Sequence, residues 1–297
     1  MLKEMQRIMN EDTIENGSQP GWVKFKNMYR DYFSVVLSRN NVVTNKALIL
    51  GAGNGNDIDI SFFEEHFQEI VLVDIDEEAL DRFISKATQP EKFRKVVIDL
   101  SGLAGKLTPA IFEKSQKKLI EYVERLKPTH DFSQLKDEKF DFIFSSNFIT
   151  QLLYPYFTNM LLIKGRVPGP NILAPLSKLS HRVIKGLLSH IHSLLDPHGV
   201  FIHSSDMVEL TVDKTTGIKT PGYDLVMGAL GPDWSNITPK VQGIMPTLAK
   251  HNLFIGGSSL PDYNIFKFDG LLFIPWEFAR NDKLEKTYIC MVVSFLK

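Results

Sequence analysis

The stretch Ala47-Leu48-Ile49-Leu50-Gly51-Ala52-Gly53-Asn54-Gly55-Asn56-Asp57 decides how this chain reads. An apolar strand runs straight into three alternate glycines, and a helix is expected to open at Asp57, a residue type that caps helix N-termini. Glycines in that place permit a tight turn and let a ligand approach the backbone closely. The next apolar run ends in Val73-Asp74-Ile75-Asp76, which puts Asp74 at a strand tip roughly 20 residues past the first glycine. A carboxylate there can accept hydrogen bonds from both hydroxyls of a ribose. Loop, spacing and context point together to a nucleoside-type ligand.

Outward from this stretch, short apolar runs alternate with helical patterns. Strands are expected at 47–50, 70–73, 95–98, 140–144 and 199–203, with helices at about 57–67, 77–87, 106–127 and 176–195. Leu179, Val183, Leu187, Ile191 and Leu194 form one helical stripe. Upstream, residues 3–16 read as a short polar helix, and Trp22, Phe25, Tyr29, Phe33 and Val36 recur at helical spacing. Alternation of this kind argues for βαβ units on a parallel sheet covered on both faces. After 203 the pattern loosens into a segment rich in Gly, Pro and Thr, then a helix at about 239–250. Two last strands, 270–274 and 287–296, flank a turn too short for anything but antiparallel pairing. The expected sheet is therefore mostly parallel, with one antiparallel strand at the C-terminal end.

A dinucleotide fingerprint would place a third glycine where this chain has Asn56. The pattern is GxGxG instead. With it, from about residue 42 to the C-terminus, the chain resembles the class I S-adenosylmethionine-dependent methyltransferases. The resemblance implies a Rossmann-like, doubly wound α/β sheet of seven strands. It also implies that Gly51, Ala52, Gly53, Asn54 and Gly55 pass beneath the methionine end of the cofactor. Asp74 and Ile75 would hold the ribose, and Asp99 and Leu100 would flank the adenine. Ser145, Ser146, Asn147 and Phe148 would face the methionine moiety and the acceptor. The implied cofactor is S-adenosylmethionine, with S-adenosylhomocysteine as product and no metal. The implied partner is a small-molecule acceptor methylated on N, O or S. One departure stands out: many members carry an acid two residues before the first glycine, and here that position is Ile49.

Two other readings compete. A spermidine synthase-like aminopropyltransferase shares the cofactor frame but needs acids after the fourth strand, where this chain has Ser145-Ser146-Asn147. A non-catalytic protein that only binds S-adenosylmethionine is the other. No Asn/Asp-Pro-Pro-aromatic motif of amino-group DNA methyltransferases follows the fourth strand, so no nucleic-acid substrate is expected. Asp74-x-Asp76 could be a metal-binding DxD, although the glycine loop accounts for Asp74 better. The histidines show no metal-ligand spacing.

Asn147 and Gln151 are the polar groups best placed to see an acceptor, against a plain role in capping. Asp206, just past the expected fifth strand, would orient or deprotonate it. Tyr29 is a candidate lid residue and Trp276 a candidate wall of the acceptor site, each weighed against simple packing. The chain divides into an N-terminal helical lid at 1–41 and a methyltransferase domain at 42–297. That domain carries insertions at about 102–138, 164–175 and 207–238. The last insertion, with Tyr223, Met227 and Trp234, is expected to form a mobile cap near Asp206 and Trp276 or else an oligomer interface.

Composition bounds the rest. With 34 Lys plus Arg, 35 Asp plus Glu and a net charge of −1, bulk attraction to DNA or an anionic membrane is absent. The 43% apolar content, including 21 Phe, supplies a sizeable core, and a single cysteine, Cys290, excludes an internal disulfide. The first twenty residues are too polar for a signal-peptide core. No run reaches the roughly 20 apolar residues of a membrane span. A cytoplasmic protein is expected, monomer or homodimer.

Overall fold

A computed structural model of the protein describes residues 2–231, 233–234, 236–255 and 264–297. Helix α1 (Leu2–Glu11) and the long α2 (Pro20–Asn40) come first. Next come β1 (Lys46–Leu50), α3 (Ile60–His66), β2 (Glu69–Asp74), α4 (Glu77–Ile84) and β3 (Phe93–Val97). Two short helices, α5 (Pro109–Phe112) and α6 (Gln116–Arg125), lead to β4 (Phe140–Ser145). Helices α7 (Tyr154–Ile163) and α8 (Pro170–Leu194) precede β5 (Leu195–Asp213). The chain ends with α9 (Tyr223–Leu230), α10 (Thr238–Lys250), β6 (Lys267–Arg280) and β7 (Leu284–Leu296).

The strands form one seven-stranded sheet in the order β3-β2-β1-β4-β5-β7-β6. Strands β1 to β5 pair in parallel, and β7 runs antiparallel to both its neighbours. This is the expected Rossmann-like arrangement. The winding reverses between β1 and β4, so a crevice opens at their carboxyl ends, where sheets of this kind bind ligands.

Alternating side chains serve two cores. Leu48, Leu50, Val71 and Val73 belong to one core together with residues of α8, α9 and α10, whereas Ala47, Ile49, Ile70 and Leu72 belong to another with residues of α2, α3 and α4. The second face is rich in aromatic rings. Phe33 of α2 meets Phe142 and Phe144 edge-on, with ring centres 5.3 and 4.8 Å apart. A third cluster joins α5, α6 and α7 to the first half of α8, through Phe112, Leu119, Phe157 and Leu176 among others.

Three expectations change. The segment read as an insertion beginning at 207 is strand up to Asp213, because β5 keeps pairing with β7 across a bulge between Asp206 and Val208. Val208, Leu210 and Val212 supply the β-formers. Pro232 and Ser235 of that segment lie outside the described residues. The single helix expected at 106–127 is two, and α7, apolar on all sides and so without a period, escapes pattern reading. Finally α3 is capped not by Asp57 but by Asp59, whose carboxylate accepts from the Phe62 amide at 3.4 Å.

Candidate functional site

Strand β1 delivers the glycine loop to the crevice. The Gly51 and Ala52 amides donate to the Val73 carbonyl at 2.9 and 3.1 Å, which ties the loop to the tip of β2. Gly51, Gly53 and Gly55 all adopt positive φ, at 69°, 48° and 66°. At Gly55 a side chain would also collide with the Phe83 ring, 2.5 Å from where a Cβ would stand. The loop is thus bound to glycine by conformation and by packing.

Asp74 closes the loop from the side. One carboxylate oxygen accepts from the Gly53 amide and the other from the Asp76 amide, both at 3.0 Å. Burial outweighs those bonds and lifts its pKa to about 6. The loop's asparagines have separate work. Asn54 donates to the Asn10 carbonyl at 2.6 Å, and Asn56 donates to the Thr13 carbonyl. Asn10 in turn donates to Asp76 at 2.8 Å. Helix α1 and the turn after it are clasped onto the loop by side chains on both partners.

Beneath α1 lies a cavity of about 180 Å³. The loop from Gly51 to Gly55 floors it, Asp74 and Ile75 stand at one side, and Asp99 and Leu100 at another. Ser146, Asn147, Gln151 and Trp276 also border it. The sequence-predicted residues that do not reach it are Ser145, Tyr29 and Asp206. Ser145 is fully buried against His203, its hydroxyl 3.1 Å from the ring nitrogen Nδ1. Tyr29 is buried in the aromatic core, where its hydroxyl bonds Ser204 and receives the Asn147 amide at 2.8 Å.

Asp206 is not at a strand end, because β5 continues seven residues further to Asp213. It is buried, touching the Cys290 thiol and the Thr150 hydroxyl, each at 3.4 Å, and burial raises its pKa to about 7. A base for an acceptor in the cavity is therefore not found there.

Two bordering residues have their polar groups already committed. The Asn147 side chain gives its amide to Tyr29 and accepts from Ser204 at 2.7 Å; at φ 42° it holds a left-handed turn after β4. The Asp99 carboxylate accepts the Ser101 amide and hydroxyl and the Leu103 and Ala104 amides, at 2.5 to 2.9 Å. That is the full capacity of a carboxylate. Asp99 borders the cavity with its polar capacity spent on its own loop, beside the apolar Ile98 and Leu100.

Sequence reasoning missed Asp57, which borders the cavity and receives the Ser146 hydroxyl. Burial raises its pKa, chiefly by desolvation. The signal was present: an acid directly after the third glycine. It also missed Met5, Met9 and Asn10 of α1, Tyr156 of α7 and Phe278, and it favoured packing for Trp22, which borders the cavity. The expected cap residues Tyr223, Met227 and Trp234 instead border a different hollow, with Leu210, Pro275 and Glu277. Pro275 and Glu277 point to the opposite side of β6 from Trp276.

No family model and no curated protein matches the chain. Among solved structures it is similar to the N-methyltransferase NodS from Bradyrhizobium japonicum WM9 in complex with S-adenosyl-L-homocysteine. That pair shares 9% identity over 98% of this chain and 97% of NodS, with a TM-score of 0.41. It is also similar to an S-adenosylmethionine-dependent methyltransferase from Clostridium acetobutylicum ATCC 824, at 12% identity, 92% of each chain and a TM-score of 0.40. The glycopeptide N-methyltransferase MtfA complexed with sinefungin gives 11% identity, 89% of this chain, 91% of that one and a TM-score of 0.36. Scores this low leave the site to be read from its own geometry. The strand order, with β7 alone reversed, is that of the class I methyltransferase fold.

Proposed function

We propose that the protein is an S-adenosylmethionine-dependent methyltransferase acting on a small molecule. The observation that carries this reading is the buried Asp74 carboxylate at the tip of β2, beside a cavity floored by the left-handed glycine loop. The Asp74 carboxylate accepts from backbone amides of Gly53 and Asp76 and, with room for four hydrogen bonds, keeps a lone pair for a ribose hydroxyl. Ile75, Ile98 and Leu100 offer an apolar slot for the adenine ring. The amino-acid end of the cofactor would lie toward Asp57 and Ser146. Asp57 brings a carboxylate into the cavity from the far end of the loop and so replaces the acid that Ile49 does not supply.

Bound there, S-adenosylmethionine would supply a methyl group already activated by the sulfonium charge. What this chain does is align an acceptor and keep water away, which requires no strong base. Helix α1 and the rings of Trp22, Trp276 and Phe278 form the dry side of the cavity. Calorimetric titration tests the reading. S-adenosylhomocysteine is expected to bind at least about tenfold tighter than NAD, since Asn56 fills the place of the third dinucleotide glycine. Tighter binding of NAD would overturn it.

A further inference from the structure

The methyltransferase reading makes no use of the stretch that joins α7 to α8, and what that stretch does is independent of it. Helix α7 contains no charged residue. Its last two residues, Leu162 and Ile163, are 57% and 73% exposed, and Val167, just beyond, is 85% exposed. Among the described residues Val167 and Ile163 are the most exposed of the large apolar side chains. They do not hang from a slack loop. Gly165 takes a positive φ of 66°, and the Arg166 and Gly165 amides donate to the Leu161 and Leu162 carbonyls at 2.8 and 2.9 Å. That pair of bonds makes a Schellman turn, and Pro168 and Pro170 stiffen the chain that follows. Aliphatic side chains held in water by a fixed turn mark a surface that meets something apolar.

The surroundings say what it meets. Arg166 donates to the Lys114 carbonyl at 2.7 Å, and Lys164 pairs with Glu113, so the turn is fastened to the chain that enters α6. Lys117 and Lys118 follow in the first turn of α6, both exposed and with no acid in that turn. Cations at a helix N-terminus oppose its dipole, so the stability of α6 does not explain them. Across 113–118 and 162–168, five cations stand against the single carboxylate of Glu113. The whole-chain charge of −1, which argues against attraction to an anionic membrane, does not describe this place. Aliphatic tips flanked by lysines are the make-up of a lipid contact. The tips enter the acyl boundary while the ammonium groups stay among the phosphates. The core of a protein interface is instead rich in aromatic residues and poor in lysine, and neither stretch contains an aromatic residue.

We infer that the turn at 162–168, together with Lys117 and Lys118, docks the protein reversibly on an anionic lipid surface.

Cosedimentation of the full chain with vesicles tests it. Vesicles of phosphatidylcholine with about one-third phosphatidylserine are expected to bind at least about tenfold more strongly than phosphatidylcholine alone. That difference is expected to vanish at about 1 M salt, where the screening length is about 3 Å. The double variant Ile163→Ser, Val167→Ser should lose about tenfold in binding to the phosphatidylserine vesicles, and so should Lys117→Gln, Lys118→Gln. Both should unfold at the wild-type temperature, because the side chains replaced are exposed. Ile218→Ser, at a side chain 69% exposed elsewhere, should bind as the wild type does. Equal binding to the two vesicles, insensitivity to salt, or binding that survives either double variant would overturn the inference. So would a wild-type dimer that Ile163→Ser, Val167→Ser turns into a monomer, which would assign the patch to a second copy of the chain. If that double variant does not fold, Val167→Ser alone, outside both helices, takes its place with an expected loss of about threefold.

Discussion

The two ends of the cavity are built in different ways. The end proposed to hold the nucleoside is made of strand tips and the short turns that follow them, with Asp74 the last residue of β2 and Gly51–Gly55 and Leu100 just beyond β1 and β3. The end proposed to take the acceptor is assembled from α1, α2, α7 and β6, and a hydrogen bond there joins Trp22 to Phe278 across nearly the whole chain. The first end is fixed by local backbone geometry and the register of the sheet. The second exists only once distant elements have packed. That contrast predicts that substitutions at one end will leave ligand binding at the other largely intact.

The largest effect is expected at the nucleoside end. Asp74→Ala should weaken S-adenosylhomocysteine binding by about 2 kcal/mol, roughly 30-fold, by removing the acceptor of the ribose hydroxyls. In the unliganded wild type that carboxyl takes up its proton near pH 6, so affinity should also fall as pH drops below about 6. Calorimetry on the folded variant checks both; an unchanged affinity would break the assignment of that end.

Asp206 lies outside both ends, and its replacement should act on stability rather than binding. Burial holds its pKa at about 7 and that of Asp74 at about 6, against 3.8 as the ordinary value. Between pH 4 and 7 the native state therefore keeps protons that the unfolded chain has released. Stability falls as pH rises through that window and levels off above it. Asp206→Asn should flatten the part of the fall nearest pH 7 and raise stability at pH 8 by about 2 kcal/mol, less than the full shift because the surroundings relax around the charge. Denaturant titrations at pH 5 and 8 measure it, and a variant no more stable at pH 8 than the wild type would refute it.

At the junction of the two ends, Asp57→Asn should cost S-adenosylhomocysteine about tenfold in affinity and leave adenosine unaffected, because only the former carries the ammonium of an amino-acid tail. Equal losses for both ligands would move Asp57 into the nucleoside end. The smallest effect belongs to the clasp. Asn10→Ala should cost about 1 kcal/mol of local stability and speed proteolysis within α1 without altering the core.

The same contrast explains what could be read from the sequence. The glycine loop, Asp74 and the order of strands were legible because each depends on period, spacing and a turn. Asp57 was misread as a helix cap because aspartate serves caps and cavities equally well; only the position of Asp59 separates the two. Asp206 was misplaced because a strand that leaves its parallel neighbour and continues against β7 shows no break in its apolar pattern. Tyr29 has helical spacing suited to packing, and the structure gives it that role, with its hydroxyl underpinning Asn147. Nothing in the residues around Trp276 announces that Trp22, more than 250 positions earlier, lies against it.

The clasp has a kinetic side. A cavity of about 180 Å³ is below the 300 Å³ or more of an ordinary ligand pocket. With α1 seated on Asn54, Asn56 and Asp76, a nucleoside of the proposed size is expected to need the helix to lift before it is fully housed. Apparent affinity then carries the fraction of time that the helix is raised as a multiplier, and arrival is gated by opening rather than by diffusion. Exit of a bound nucleoside would wait for the same movement. On that reading the pace of ligand exchange would be set by the three asparagine contacts of the clasp.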